Sequence, residues 1–254
     1  MKKLNFLVAL CCMLAVFTAC EKNEPNDNGN GINTDQNGGN SNTGSDNATG
    51  TANGHAYVDL GLPSGLKWAT CNVGATKPEE YGDYFAWGEV APKDYYGWNT
   101  YKWATATYNT KYDCWDLETL TKYCTDSNWG TVDNKTVLEL ADDAARANWG
   151  GAWRMPTDEE WTELRENCAW KWTDNYNNTG IAGYIVTGFN GNSIFLPAAG
   201  FRYFDDMSYA GSDGYYWSSS LDTDYPGNAW LVYFYSDDVG RYCYYGQSVR
   251  PVFK

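Results

Sequence analysis

The chain has 254 residues, with 32 acidic against 18 basic side chains, a formal net charge of −14, 17% aromatic residues and one histidine. A surface this acidic repels phosphate backbones and anionic lipid, which excludes nucleic acid as a partner. The single histidine, His55, stands at the edge of a polar stretch, so no Ser-His, Cys-His or histidine-based zinc constellation can assemble.

Residues 1–20 read MKKLNFLVALCCMLAVFTAC. Two lysines, an apolar run from Leu4 to Phe17 and small residues before a cysteine have the layout of a secretory signal, too short to span a bilayer. A cysteine in that place predicts a bacterial lipobox, with cleavage before Cys20 and acylation of its thiol and new amino group. An ordinary signal peptide with Cys20 incidental is the alternative. Several acyl chains give stable anchoring, so the expected location is the outer membrane, at the cell surface or on the periplasmic face, attached only through lipid.

Residues 21–54 are rich in Asn, Gly, Thr, Ser and Asp, with Ile32 as the only large apolar residue. They cannot bury enough surface to offset the entropy of ordering, and a disordered tether is expected. From His55 the composition changes, and residues 55–254 suffice for one domain with a sizeable core. Tyr57–Pro63 and Lys67–Thr70 read as short strands around a Pro/Gly turn. Residues 91–130 read as a long irregular excursion rich in aromatics.

Two helices follow. Lys135 to Asn148 sets Val137, Leu138, Ala141, Ala144 and Ala145 on one stripe, closed by Gly150-Gly151. A second begins at Thr157, where Thr157 and Glu160 have capping-box spacing and Trp161, Leu164 and Cys168 share a face. The remainder reads as sheet. Gly183–Phe189 and Asn192–Leu196 flank the hairpin signal Asn190-Gly191, and strands follow at 214–220, 229–235 and 248–253. Two main helices before a run of antiparallel strands predict an α+β fold.

Residues 201–245 hold fifteen aromatic side chains, ten of them tyrosine, with Asp205, Asp206, Asp213, Asp222, Asp224, Asp237 and Asp238 among them. Core packing favours Leu, Ile and Val and needs a partner for every buried hydroxyl. Tyrosine mixed with Asp, Ser, Asn and Gly instead has the chemistry of a paratope, where rigid amphipathic rings supply contact area at low entropic cost. A roof of tyrosines over an irregular domain is the bland alternative. Alternation places Trp230, Val232 and Phe234 inward and Leu231, Tyr233 and Tyr235 on the other side. The candidate ligand-binding residues are Tyr203, Asp205, Asp206, Tyr209, Tyr225, Tyr242, Tyr244 and Tyr245. Neither Asp205-Asp206 nor Asp237-Asp238 has EF-hand spacing, so solvated turns are expected there and no metal or other cofactor.

Six stretches together carry a resemblance: Tyr57–Ala69 (YVDLGLPSGLKWA), Tyr84–Glu89 (YFAWGE), Trp153–Thr157 (WRMPT), Leu196–Arg202 (LPAAGFR), Tyr216–Ser220 (YWSSS) and Ser248–Val252 (SVRPV). In this order they resemble the Fibrobacter succinogenes major paralogous domain of secreted and lipid-anchored Bacteroidetes proteins. More distantly they resemble the formylglycine-generating-enzyme group. The resemblance implies a C-type-lectin-like fold. The enzymes of that group bind copper through two cysteines near the C-terminus, and here the matching region offers only Cys243; a soft metal needs more than one soft ligand. WRMPT is therefore expected to be architecture, with Arg154 pairing with a carboxylate or carbonyl and Trp153 and Trp161 in the core. Cys71, Cys114, Cys124 and Cys168 show no CxxC spacing. A Cys114–Cys124 disulfide and buried free thiols are equally open.

The expected function is non-catalytic: a lipid-anchored surface module that grips a glycan or protein ligand through its aromatic C-terminal face. The residue set also fits the Tyr, Asn, Asp, Ser, Gly and Cys that adenine-mutating retroelements scatter over ligand-binding proteins of lectin-like fold. The alternatives are a structural or accessory subunit of a surface assembly (a pilus tip or glycan-capture complex) and an oxidase of the formylglycine-generating type.

Overall fold

The first strand lies where a tether was expected. The computed structural model describes residues 48–234 and 236–254, with backbone alone for 236–239. The signal segment, Cys20, residues 21–47 of the expected tether, Tyr235 and the Asp237 and Asp238 side chains lie outside the described residues. Strand β1 (Gly50–Ala52) pairs with β2 (His55–Asp59) in antiparallel register, Ala52 opposite His55. Between them Asn53 and Gly54 both adopt positive φ, 47° and 84°, the type I′ geometry for which Asn-Gly is suited. The last residues of the expected tether are thus a strand of the domain, held further by Trp153 Nε1 donating to the Ala52 carbonyl at 2.8 Å.

Strand β3 (Lys67–Ala69) follows, then a hairpin of β4 (Ala104–Asn109) and β5 (Cys114–Leu120). Helix α1 is Ala144–Trp149 and helix α2 is Asp158–Asn167. After them come β6 (Cys168–Thr173), β7 (Gly183–Gly188), β8 (Ser193–Pro197), β9 (Phe201–Tyr203), β10 (Asp206–Ser208), β11 (Tyr215–Leu221), β12 (Asn228–Tyr233), β13 (Ser236–Tyr242) and β14 (Val252–Phe253). They form five small antiparallel sheets, ordered β1-β2-β3-β14, β4-β5, β6-β7-β8, β9-β10 and β11-β12-β13. The expectation of an α+β, C-type-lectin-like fold with two main helices is overturned: the described residues are sheet-dominated, 12% helical and 38% strand.

The helix expected over 135–148 shrinks to the six residues of α1, for a local reason. Asp142 and Asp143 interrupt the stripe, and both carboxylates are used by the fold. Asp143 caps α1 by accepting from the Arg146 amide at 2.9 Å and also takes the Met155 amide at 2.8 Å. Asp142 accepts from Tyr123 Oη at 2.7 Å and from Lys122. Upstream, the backbone of 136–138 pairs with β11, with Leu138 N donating to Ser219 O at 2.9 Å and Leu221 N to Thr136 O at 2.8 Å. Polar groups satisfied by a neighbouring strand are lost to a helix. Helix α2, by contrast, starts where the capping box predicts: the Glu160 amide donates to Thr157 Oγ1, and Thr157 N donates to Glu160 Oε2.

The core has two compartments, and β11 and β12 are the wall between them. Tyr215, Trp217, Ala229 and Leu231 face one cluster, with Phe85, Trp87, Tyr96 and Trp153. Tyr216 and Val232 face the other, with Trp68, Trp161, Ile194 and Leu196. The alternation expected along β12 has the right parity, but its second side is not solvent: Leu231 is fully buried. Through the wall run hydrogen bonds that join aromatic donors to backbone, Trp161 Nε1 to Trp217 O at 3.2 Å and Trp217 Nε1 to Phe85 O at 2.8 Å. Behind it Arg250, fully buried, donates to Asn72 Oδ1 and to the carbonyls of Ala69, Thr70 and Phe195.

Trp153 and Trp161 are both fully buried, and Arg154 makes a two-pronged pair with Glu160, Nη1 to Oε2 at 2.6 Å and Nη2 to Oε1 at 2.5 Å. The WRMPT segment thus ties the start of α2 to the body of the domain.

Candidate functional site

The aromatic face is built where two strand ends meet a short ribbon. β9 and β10 form a two-stranded ribbon in which Tyr203 stands opposite Asp206, and β13 ends at Tyr242, opposite Asn228 of β12. The ribbon is fastened at its turn by Phe204 and Tyr96, whose amides and carbonyls exchange hydrogen bonds of 2.8 and 2.9 Å. The backbone at Gly246 comes so close to the Tyr96 ring that a Cβ there would stand 2.6 Å from it, so this approach requires glycine.

Ring contacts then run continuously. Tyr203 meets Tyr245 at 5.0 Å between centroids and Tyr244 at 6.2 Å; Tyr242 stacks on Tyr244 at 5.5 Å; Phe201 stacks on Tyr245 at 5.5 Å and on Tyr209 at 5.8 Å. Trp98 lies edge-on beneath Tyr242 and Tyr244, at 5.8 and 4.7 Å. Five of the eight candidates, Tyr203, Tyr209, Tyr242, Tyr244 and Tyr245, therefore belong to one ring cluster, with exposed Asp205 and Asp206 at the tip of its ribbon.

Tyr244 must be withdrawn as a surface residue. It is 6% exposed and packs against Trp98, so it floors the face. Alternation would set Tyr244 on the same side as the exposed Tyr242, but β13 ends at Tyr242 and the chain turns there, the Tyr245 amide donating to the Tyr242 carbonyl at 3.0 Å, so that Cys243 and Tyr244 are both buried. Tyr203 and Tyr245 are half-buried, while Tyr209 and Tyr242 are exposed. Tyr225, 60% exposed, sits apart on the turn between β11 and β12, with no ring partner among the described residues. Burial raises the Tyr203 hydroxyl above its ordinary value, against a lowering hydrogen bond from Tyr244, with Tyr95 and Cys114 nearby adding to the rise. Burial also raises Tyr245 and Tyr244. These hydroxyls stay protonated at neutral pH and can both donate and accept.

Two residues of this surface hold bulky side chains in the left-handed region, Phe204 at φ 54° and Tyr209 at φ 58°. Such conformations cost on the order of 1–3 kcal/mol each and cluster at functional sites. Nothing in the sequence marks them, because Asn or Gly would be the natural residue.

The sequence also left unread the β4-β5 hairpin, inside the stretch expected to be irregular. Its register runs Tyr108 opposite Trp115 and Asn109 opposite Cys114, and Asn109 Oδ1 closes the turn by accepting the Lys111 amide at 3.1 Å. Tyr108, Tyr112 and Trp115 are 44%, 51% and 38% exposed. The signal was the alternation Ala104, Ala106, Tyr108 before a polar turn. Cys114 and Cys124 are not bonded to each other: Cys114 contacts the Asp116 carboxylate on the hairpin, while Cys124 is buried and donates to the Asp126 carbonyl at 3.1 Å.

Cys243 is enclosed beside Tyr101, and burial pushes its thiol well above the ordinary value. Among the described residues no group of three or more His, Cys, Asp or Glu could hold a metal ion. An open cleft of about 410 Å³ lined by Lys77, Glu79, Glu80, Tyr81, Thr179 and Ile181 includes none of the candidate residues. Among the described residues no helix is long and apolar enough to cross a membrane. No protein-family model, no curated protein and no solved structure matches the chain.

Proposed function

We propose that the chain is a non-catalytic, lipid-anchored surface module, held in the outer membrane through Cys20, that binds a glycan or protein ligand on the face of Tyr203, Tyr209, Tyr242 and Tyr245. The observation that carries this is the continuity of half-exposed rings over a buried floor of Tyr244 and Trp98. Rigid rings with free edges give contact area without ordering cost on binding. The burial of Trp153 and Trp161 and the Arg154–Glu160 pair support an architectural role for the WRMPT segment.

The test is an array of glycans and host glycoproteins probed with the full chain, then with Tyr203→Ala and Tyr242→Ala. Each change should weaken binding about five- to ten-fold, as expected of a central aromatic contact worth about 1 kcal/mol or more. Absence of any binder, or equal binding by both variants, would shift the reading to a structural subunit that touches only its assembly neighbours.

A further inference from the structure

The aromatic face does not end at Tyr242. The Cβ position of Gly227 has Leu117 of β5, Trp98 and Trp129 within 3.4–3.6 Å, so the hairpin is seated against the same tryptophan that underlies Tyr242. At its far end Tyr108 and Trp115 contact each other at 5.3 Å with both rings open to solvent. Among the described residues the hairpin pairs with no other strand; only its base is tied down, by the bridge of Leu120 to Gly130. It is an arm whose outer aromatic residues contact only the arm itself among the described residues, Tyr108 and Trp115 each other, the Tyr108 hydroxyl the Asp113 carboxylate and the Tyr112 ring the Lys111 ammonium.

Charge says what would cover it. Asp113 and Asp116 on the arm, Asp205 and Asp206 on the β9-β10 turn and Asp224 beside Tyr225 are all exposed. The ion pairs at Asp59, Glu89, Glu139, Asp142 and Glu160 lie elsewhere, and none of them involves these five carboxylates. Rings flanked by unneutralised carboxylates hold ammonium and guanidinium groups by combined charge and cation–π attraction. The molecule already does this internally: the Lys102 and Lys122 ammonium groups lie 4.1 and 4.7 Å from the Trp103 ring, both paired with Asp142. A second copy of the chain, equally acidic, would be repelled.

We propose that the β4-β5 arm and the aromatic face together dock a cationic polypeptide segment, whose Lys and Arg side chains lie over Trp115, Tyr108 and Tyr242 between the carboxylates of Asp113, Asp116, Asp205 and Asp206. This rests on the reading of the face as a binding surface and selects protein over glycan as its ligand.

The probe is a synthetic peptide of five Lys-Gly repeats, measured against the full chain by interferometry, with a neutral hexaose and a Glu-Gly peptide alongside. The Lys-Gly peptide should bind, and its Kd should rise at least ten-fold between 50 and 300 mM NaCl. Trp115→Ala and Tyr108→Ala, which leave the charge unchanged, should each weaken it at least five-fold with an unaltered thermal midpoint. Asp205→Asn with Asp206→Asn should flatten the salt dependence, whereas Glu79→Gln with Glu80→Gln, outside this surface, should change nothing. No binding by the Lys-Gly peptide, or binding indifferent to the arm variants, would overturn the proposal, as would salt-independent binding of the neutral hexaose alone. Loss of a ligand on Tyr242→Ala but not on Trp115→Ala would sink the arm while leaving the face intact.

Discussion

The wall between the two core compartments and the C-terminal face are made of the same residues, tyrosine and tryptophan, handled in opposite ways. In and around the wall, buried rings find fixed backbone acceptors: Tyr216 Oη donates to Pro197 O at 2.7 Å, Tyr84 to Ala199 O at 2.5 Å, Tyr96 to Tyr84 O at 2.6 Å and Trp87 Nε1 to Ser218 O at 2.9 Å. On the face, none of the hydroxyls of Tyr203, Tyr209, Tyr242 and Tyr245 donates to a backbone carbonyl among the described residues, and the rings touch mainly one another. The difference teaches that aromatic richness has two meanings. A ring whose polar atom is bound to backbone is a structural member. A ring whose hydroxyl is bonded only to another tyrosine, as in Tyr203 and Tyr245, keeps hydrogen-bonding capacity that can serve a ligand.

That comparison can be broken by mutation. Trp161→Ala removes a fully buried ring packed on Trp68 and Tyr216, and should cost about 3–5 kcal/mol in urea denaturation. If Tyr242→Ala costs nearly as much, the two regions are not different in kind. Asp142→Asn should cost roughly 2 kcal/mol at neutral pH, since it weakens charge-assisted bonds from two lysines. Although burial alone would raise the Asp142 carboxyl, the hydrogen bonds from Lys122, Tyr123 and Lys102 hold it below its ordinary 3.8. The stability it contributes is complete above that value and lost as pH falls through the lower folded value. The wild type should therefore lose more stability than Asp142→Asn between pH 5 and pH 2, and parallel pH profiles would refute this. The finest comparison needs only two hydroxyls. Tyr216→Phe should cost about 1 kcal/mol because it removes one of the two hydrogen bonds to the buried Pro197 carbonyl, while Tyr242→Phe should be neutral within about 0.5 kcal/mol.

Local signals in the chain were legible where they were self-contained. The capping box at Thr157 and Glu160 and the hairpin at Asn190-Gly191 need only neighbouring residues, and both stand in the structure. Asn53-Gly54 was an equally clear turn, masked by the polar composition around it, which resembles a tether until β2 is seen to accept a partner strand. The stripe over 135–148 misled because helical spacing says nothing of competing partners. Lys122, Tyr123 and Met155 reach Asp142 and Asp143 from other parts of the chain, and β11 takes the backbone of 136–138.

Composition by itself determined that an acidic, tyrosine-rich C-terminal segment exists and which positions alternate along it. Tertiary structure decided that both sides of β12 are core, that Tyr244 is floor while Tyr242 is surface, and that the β4-β5 arm stands beside them. The physical reason is that amphipathic rings are equally suited to burial and exposure. Which of the two a tyrosine adopts depends on what other parts of the chain bring to its ring and hydroxyl: the Pro197 carbonyl for Tyr216, the Asp142 carboxylate for Tyr123, and Trp98 with neighbouring tyrosines for Tyr244.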